Sequence, residues 1–145
     1  MAFKFKRIAF FSKKTPRSAK IANELMPYLL AKKQKGFFNE LLVDETTAYY
    51  LKYKGKRASV AEIAKADCII LVGGDGTFLS LEMQFPGVPK LGVNTGIVGF
   101  LSHLAEKNCF EALELFFAGK YWVEERSKLG IDLPDVAAPR PTIVP

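Results

Sequence analysis

The chain has 145 residues, the length of one ordinary domain if a domain takes about 100–200 residues. Hydrophobic residues make up 49% and charged residues 25%, which argues against a disordered chain, a collagen-like repeat or a disulfide scaffold. The net charge is +6, but residues 1–57 carry 14 basic and 4 acidic side chains, whereas residues 58–145 carry 7 and 11. The basic half indicates either a solvated lysine-rich surface or a positive rim near a phosphate site. Because no recognition motif accompanies it, we expect no nucleic-acid partner.

Neither the apolar runs nor the cysteines indicate an exported or membrane protein. No run approaches the roughly 18 apolar residues that a membrane span needs, and the N-terminal MAFKFKRIAFFSKK lacks the apolar core of a signal peptide. The two cysteines, Cys68 and Cys109, and the single histidine cannot supply a four-ligand zinc site. We therefore expect no membrane partner, a cytoplasmic location and two reduced, buried thiols.

In chain order, the first part predicts a strand, a long helix and a second strand. RIAFF at residues 7–11 is an apolar run that predicts a buried strand. Thr15-Pro16 supplies a hydroxyl cap and a first-turn proline, and a stripe at helical spacing follows: Ala22, Leu25, Met26, Leu29 and Leu30. Pro27 lies inside this stripe, so we expect the helix to kink or break there. FFNELLV at residues 37–43 predicts the second strand.

The middle of the chain predicts a covered strand between short helices. Residues 44–58 fit a short helix followed by a basic loop, although their pattern is ambiguous. Ser59 and Glu62 have the spacing of a capping box, which predicts a short helix through Ala66. CIILV at residues 68–72 is continuously apolar and suits a strand covered on both faces.

Towards the C-terminus, residues 90–93 predict another strand, and an apolar stripe predicts a helix within residues 106–118 that ends at Gly119. Residues 121–123 predict a strand leading away, and residues 134–145, with four prolines, predict an extended tail. Strands that alternate with helices predict an α/β fold: a Rossmann-like parallel sheet with helices on both faces. We expect one α/β nucleotide-binding domain over residues 1–130 and a proline-rich linker or tail over residues 131–145.

The sequence Gly73-Gly74-Asp75-Gly76-Thr77 directly follows the CIILV strand. Its glycines let the backbone turn sharply and approach a ligand, and amides at a strand-to-helix turn suit phosphate oxygens. Thr77 is placed to cap the next helix. A carboxylate among such amides repels phosphate, so Asp75 indicates another role: holding Mg²⁺, or accepting a proton from an attacking hydroxyl. Both roles fit phosphoryl transfer, and a tight turn built on Asp-Gly chemistry is the structural alternative.

A second glycine-rich segment, NTGIVGFL at residues 94–101, follows the next predicted strand. Asn94 is placed to hydrogen-bond a ligand or a neighbouring loop, and Gly96 and Gly99 indicate close approach of the backbone. Phe100 is a candidate for stacking on a planar base, with plain core packing as the alternative. Neither segment is the GxGxxG dinucleotide fingerprint, and the chain contains no GxxxxGK[ST] P-loop.

Together these segments resemble the NAD kinase family. The resemblance rests on VGGDGTFL at residues 72–79, NTGIVGFL at residues 94–101 and EERSKL at residues 124–129. GGDGT alone is shared with diacylglycerol and sphingosine kinases and, loosely, with phosphofructokinases, but the TGND-like and TIDND-like segments of those kinases are absent here. Val98 stands where leucine or methionine is more usual in the family.

The resemblance implies a phosphotransferase that uses ATP, or polyphosphate in some members, with a divalent cation such as Mg²⁺. Its acceptor is the adenosine ribose 2′-hydroxyl of NAD, and Asp75 falls on the family's general base. The resemblance also implies a homo-oligomer. No residue is assigned to a metal, and the candidate nucleotide-binding residues are Gly73, Gly74, Gly76, Thr77, Asn94, Gly96 and Phe100.

Family members continue past the segment that EERSKL resembles into a second, mostly β domain, which is missing from this sequence. We therefore expect an incomplete N-terminal part whose activity needs that domain. Two alternatives stay open: another GGDGT kinase acting on a lipid or sugar, and a nucleotide-binding regulatory domain without catalysis.

Overall fold

Five parallel strands form the central sheet of the chain. The computed structural model describes residues 5–97, 99–131 and 142–144. In the spatial order β2-β1-β3-β4-β5, all neighbouring strands pair in parallel, so their carboxyl ends meet at one edge. The strands are β1 (Phe5–Ser12), β2 (Phe38–Val43), β3 (Cys68–Gly73), β4 (Lys90–Asn94) and β5 (Leu104–Ala105).

Helices cover both faces of this sheet, which confirms the predicted α/β fold. Successive strand residues point to opposite faces, so Ile8 and Phe10 of β1 join one core while Ala9 and Phe11 join the other. The helices are α1 (Pro16–Gln34), α2 (Glu45–Tyr50), α3 (Val60–Ile63), α4 (Asp75–Gln84) and α5 (Cys109–Phe117), the last preceded by a 3₁₀ turn at Glu106–Asn108. Buried residues of α1 and α5 belong to the first core, and those of α3 and α4 to the second.

The predicted helix ends are formed by local hydrogen bonds. The Thr15 side chain accepts the backbone N–H of Ser18, and the capping box between Ser59 and Glu62 is complete. Gly119 has a φ of 78°, the left-handed conformation that glycine adopts most easily, just after the last turn of α5. The N–H of Lys120 donates to Leu115 O and that of Gly119 to Phe116 O, which closes the helix in a Schellman motif.

One local prediction is wrong in part and another is wrong. α1 does not break at Pro27, and a kink there stays a prediction. The helix runs on to Gln34 because Leu25, Met26 and Leu29, on both sides of the proline, are buried against the sheet. That packing outweighs the one backbone hydrogen bond a proline removes. Residues 121–123 belong to none of the strands in the described part of the chain, and Trp122 is 87% exposed.

The C-terminal part of the described chain forms a small separate sheet. β6 (Leu129–Ile131) pairs antiparallel with β7 (Thr142–Val144). β7 falls within the predicted tail, whereas residues 132–141 and 145 lie outside the described residues, so the boundary at residue 131 stays a prediction. Cys68 and Cys109 are both free and buried, as predicted. None of the described helices is long and apolar enough to cross a membrane.

Candidate functional site

The sheet topology places a crevice at the carboxyl ends of β1 and β3. These strands are neighbours, but the chain leaves β1 through α1 towards β2 on one side, and leaves β3 through α4 towards β4 on the other. Ligands of open parallel sheets bind in the crevice formed by such a reversal. At the mouth of this crevice, the N–H of Lys13 donates to Val72 O at 2.8 Å. The loop after β1 therefore lies beside the loop after β3.

The first glycine loop, residues 73–77, turns β3 directly into α4. Gly73 ends the buried strand, Gly74 caps the helix without a side-chain hydrogen bond, and α4 begins at Asp75. Thr77 therefore lies inside the first turn, and its predicted role as the helix cap is wrong. Because no side chain caps this helix, its first-turn amides are open to an anionic ligand.

Gly73 and Gly76 of this loop have different surroundings. A Cβ added to Gly73 would lie 2.7 Å from Thr77 Oγ1, so the side chain of Thr77 occupies the space a larger residue needs. A Cβ added to Gly76 would meet nothing within 4 Å. Packing against Thr77 therefore explains why residue 73 is a glycine. The backbone of Gly76 is exposed and accessible to a ligand.

The second glycine loop, described at residues 94–97 and 99–102, follows β4 and packs on the first. Asn94 Oδ1 accepts the N–H of Gly96 at 2.9 Å, and Thr95 N–H donates to Gly73 O at 3.0 Å. A Cβ on Gly96 would lie 3.6 Å from Gly74 Cα, so the backbones of the two loops are nearly in contact. This bond lies within the loop to which Asn94 itself belongs, so it is not the predicted bond to a neighbouring loop, and the predicted bond to a ligand stays a prediction. Val98 lies outside the described residues.

Ser18 and Thr95 join the second loop to α1. Their hydroxyl oxygens are 2.7 Å apart, and Ser18 is fully buried in the first turn of the helix. The sequence analysis did not identify this pair. A signal was present, since Ser18 starts the buried face that continues at Ala22 and Leu25, and a buried hydroxyl needs a partner.

Asp75 connects the two glycine loops. Its Oδ2 accepts the backbone N–H of Phe100 at 3.1 Å, and its Oδ1 accepts those of Leu101 at 3.1 Å and Ser102 at 3.2 Å. Partial burial raises the pKa of this carboxyl, but the three N–H donors and the field of His103 lower it more. The pKa therefore lies below the usual range of aspartate, and the side chain is a carboxylate at neutral pH.

Phe100 is a surface residue, so the alternative of core packing is wrong for it. Its side chain is 73% exposed, and Ile97 beside it on the loop is fully exposed, whereas Leu101 is buried and fills the core position. An exposed aromatic ring and an exposed aliphatic chain on one glycine-rich loop offer an apolar surface next to the Asp75 carboxylate.

A shallow groove of about 570 Å³ runs from the second loop along α1 to the segment before α5. Lys20 and Lys107 line it, but so does the acidic Glu24. Arg17 also lines it, and its Nε donates to Glu106 at 2.6 Å, so the two acidic residues offset most of the positive charge. Of the basic residues that line the groove, Arg17 and Lys20 belong to the basic N-terminal half.

The described residues do not fit a resident divalent cation. No group of three or more His, Cys, Asp or Glu side chains in these segments is placed to hold a metal ion. Asp75 already accepts three N–H groups, which leave at most one lone-pair position of the carboxylate for a cation. Mg²⁺ in phosphate-transferring enzymes takes many of its ligands from substrate phosphates and water, so a cation here would enter with a nucleotide.

Comparison with known proteins points in one direction. Residues 8–121 match the family model described as the ATP-NAD kinase N-terminal domain. The NAD kinase of Geotalea daltonii is 36% identical over 131 residues, which are 88% of this chain and 44% of that protein. The NAD kinase of Geobacter metallireducens is 33% identical over 129 residues, 86% of this chain and 43% of that protein.

A solved structure shares the fold. Yeast NADH kinase in complex with NADH superimposes with a TM-score of 0.75 at 18% identity, covering 97% of this chain and 47% of that one. This chain therefore spans less than half the length of the relatives that it matches.

Proposed function

This chain belongs to the NAD kinase family, and from that premise we propose that it supplies the nucleotide-binding N-terminal half of an enzyme that phosphorylates NAD. The donor is ATP, or polyphosphate, and the acceptor is the 2′-hydroxyl of the adenosine ribose. The observation that carries the proposal is the joining of the two glycine loops by Asp75, which puts a carboxylate, open helix amides and an exposed aromatic ring at one place.

Each part of the site has a role in this reaction. The first-turn amides of α4 bind phosphate oxygens at the helix N-terminus, with Gly73, Gly74, Gly76 and Thr77 forming the loop around the transferring group. Phe100 stacks on the adenine. The bond between Asn94 and Gly96 fixes the turn of the second loop, which the N–H of Thr95 joins to the first loop at Gly73 O. These interactions orient the acceptor for attack, which is where most of the rate of phosphoryl transfer comes from.

Asp75 is the proposed general base. The 2′-oxygen of the ribose forms a bond to the γ-phosphorus of ATP, the bond from that phosphorus to the bridging oxygen breaks, and ADP leaves. The hydroxyl proton passes to the Asp75 carboxylate. A base with a lowered pKa is a weak proton acceptor, so it acts late, as the oxygen–phosphorus bond forms and the hydroxyl becomes more acidic.

The same proposal covers the cellular setting. A cytoplasmic homo-oligomer that takes Mg²⁺ with its nucleotide fits the family and the free, buried cysteines of this chain. Size-exclusion chromatography with light scattering tests the oligomeric state, and the mass of a single chain would contradict the proposed homo-oligomer.

A substrate panel tests the activity. The full-length product of the gene is incubated with Mg²⁺-ATP and, in separate reactions, NAD, diacylglycerol, a sphingoid base and a sugar phosphate. We expect NADP from NAD and no phosphorylation of the others. Phosphorylation of a lipid or sugar but not of NAD would favour a different GGDGT kinase, and nucleotide binding without any product would favour a regulatory domain.

A further inference from the structure

We propose that Asp75 is a positioning residue for the second glycine loop, and that its two oxygens have different roles. In the described part of the chain, Oδ1 accepts hydrogen bonds only from the loop backbone. Oδ2 accepts one such bond and retains one free lone pair, which we assign to a substrate hydroxyl. The positioning role rests on the hydrogen bonds alone, whereas the role of Oδ2 towards a hydroxyl rests on the proposed function.

The hydrogen bonds fix a continuous stretch of backbone. Three successive N–H groups, those of Phe100, Leu101 and Ser102, point at one carboxylate from a loop 25 to 27 residues further along the chain. A single carboxylate therefore fixes the backbone positions from which the exposed side chain of Phe100 and the buried side chain of Leu101 extend. Hydrogen bonds to a charged acceptor are the stronger kind, about twice a neutral one.

Counting acceptor sites separates the two oxygens. A carboxylate has about four lone-pair positions, two on each oxygen. Oδ1 accepts two N–H groups, from Leu101 and Ser102, so its positions are filled. Among the described residues, Oδ2 accepts one N–H group, from Phe100, so a single position remains on this oxygen.

This arrangement changes what an Asp75→Asn substitution does. The amide oxygen of asparagine can replace Oδ1 and keep both of its hydrogen bonds, but the amide nitrogen then meets the N–H of Phe100, donor against donor. The substitution therefore releases the Phe100 end of the loop as well as removing the base. Loss of activity in this variant alone does not separate the two effects.

Amide NMR on the 145-residue chain tests the positioning role without any nucleotide. The amide signals of Phe100, Leu101 and Ser102 are followed from neutral pH down to the lowest pH at which buried Ile70 keeps its folded position. We expect the three signals to titrate together, below the usual range of aspartate, because they report the protonation of the carboxyl that they contact. The same titration with His103→Gln separates the effect of the three hydrogen bonds on the Asp75 pKa from the electrostatic effect of His103.

Hydrogen exchange in Asp75→Asn tests the division between the oxygens. We expect exchange of the Phe100 amide to accelerate about tenfold, the equivalent of one lost hydrogen bond, and that of Leu101 and Ser102 to change less than about twofold. Equal acceleration at all three amides would contradict separate roles for the oxygens. No titration and no acceleration at any of them would overturn the positioning role.

Asp67 supplies a matched control at the other end of the sheet. Its Oδ2 accepts the backbone N–H groups of Lys6 at 2.7 Å and Arg7 at 2.9 Å. The amide oxygen of asparagine can accept both of these N–H groups, so Asp67→Asn should change exchange at Lys6 and Arg7 by less than about twofold and leave the Phe100 amide unchanged. Faster exchange at Phe100 in this variant would show a general loosening instead. An enzyme that forms no NADP would overturn the proposed function and leave these amide measurements untouched.

Discussion

Gly73 and Gly76 of the first loop should respond in opposite ways to alanine. Gly76 lies in the first turn of α4 at a surface position where an added Cβ has no neighbour within 4 Å. Gly76→Ala should therefore raise the free energy of unfolding by about 0.5–1 kcal/mol, the usual gain from removing a glycine inside a helix. Gly73→Ala should lower it by about 1–3 kcal/mol, since the new Cβ would lie 2.8 Å from Thr77 Cβ and force the turn to shift.

The proposed function of the loop predicts that the same Gly76→Ala substitution, although it stabilises the fold, lowers the activity. If ribose or phosphate lies against this backbone, the alanine methyl group occupies ligand space, and kcat/KM for NAD in the full-length gene product should fall at least about tenfold. Urea unfolding followed by circular dichroism gives the stabilities, and NADP formation gives the kinetics. A Gly76→Ala enzyme that is more stable and fully active would refute the contact between ligand and backbone at this position.

Two further predictions concern the core and the acid stability of the chain. Leu113 is fully buried in α5 and Leu115 on the same helix is 51% exposed, so Leu113→Ala should lower the free energy of unfolding by about 2–5 kcal/mol and Leu115→Ala by less than about 0.5 kcal/mol; equal losses in urea unfolding would contradict the packing of α5. Glu82 binds Lys90, whose side chain is 1% exposed, and partial burial raises the pKa of Glu82, but its contacts with Lys128 and Lys90 lower it more. The ionised Glu82 therefore stabilises the folded chain at a pH above the usual pKa of glutamate. This contribution is lost as the pH falls through the lower pKa of the folded chain, because the unfolded chain takes up the proton first. Glu82→Gln should flatten the fall in unfolding free energy below about pH 4, and a fall as steep as in the unaltered chain would contradict the linkage.

Strands β1 to β4 and the first glycine loop were predictable because their signals are local, whereas the two-residue strand β5 and the strand β6 were not predicted. CIILV is apolar throughout because β3 is covered on both faces, and the glycines that follow mark where the strand must turn. The capping box at Ser59 and the closing Gly119 are likewise read from residues that are neighbours in the chain.

The rest depends on contacts between distant parts of the chain. The Asp75 carboxylate meets amides about 25 residues away, and Ser18 meets Thr95 across 77 residues, so no short pattern reports either contact. The break expected at Pro27 does not occur for the same reason, since the packing that keeps α1 continuous comes from the sheet beneath it. The apolar triplet at residues 121–123 is in no strand of the described chain, because a strand also needs a partner that a three-residue pattern does not report.

The distance between the acceptor hydroxyl and Asp75 tests the proposed site most directly. A crystal structure of the full-length gene product with NAD gives this distance. We expect the adenosine ribose 2′-oxygen within about 2.6–3.2 Å of Asp75 Oδ2, with the adenine on the ring of Phe100. A 2′-oxygen more than about 6 Å from that carboxylate, with no water between them, would contradict the proposed role of Asp75 in the reaction.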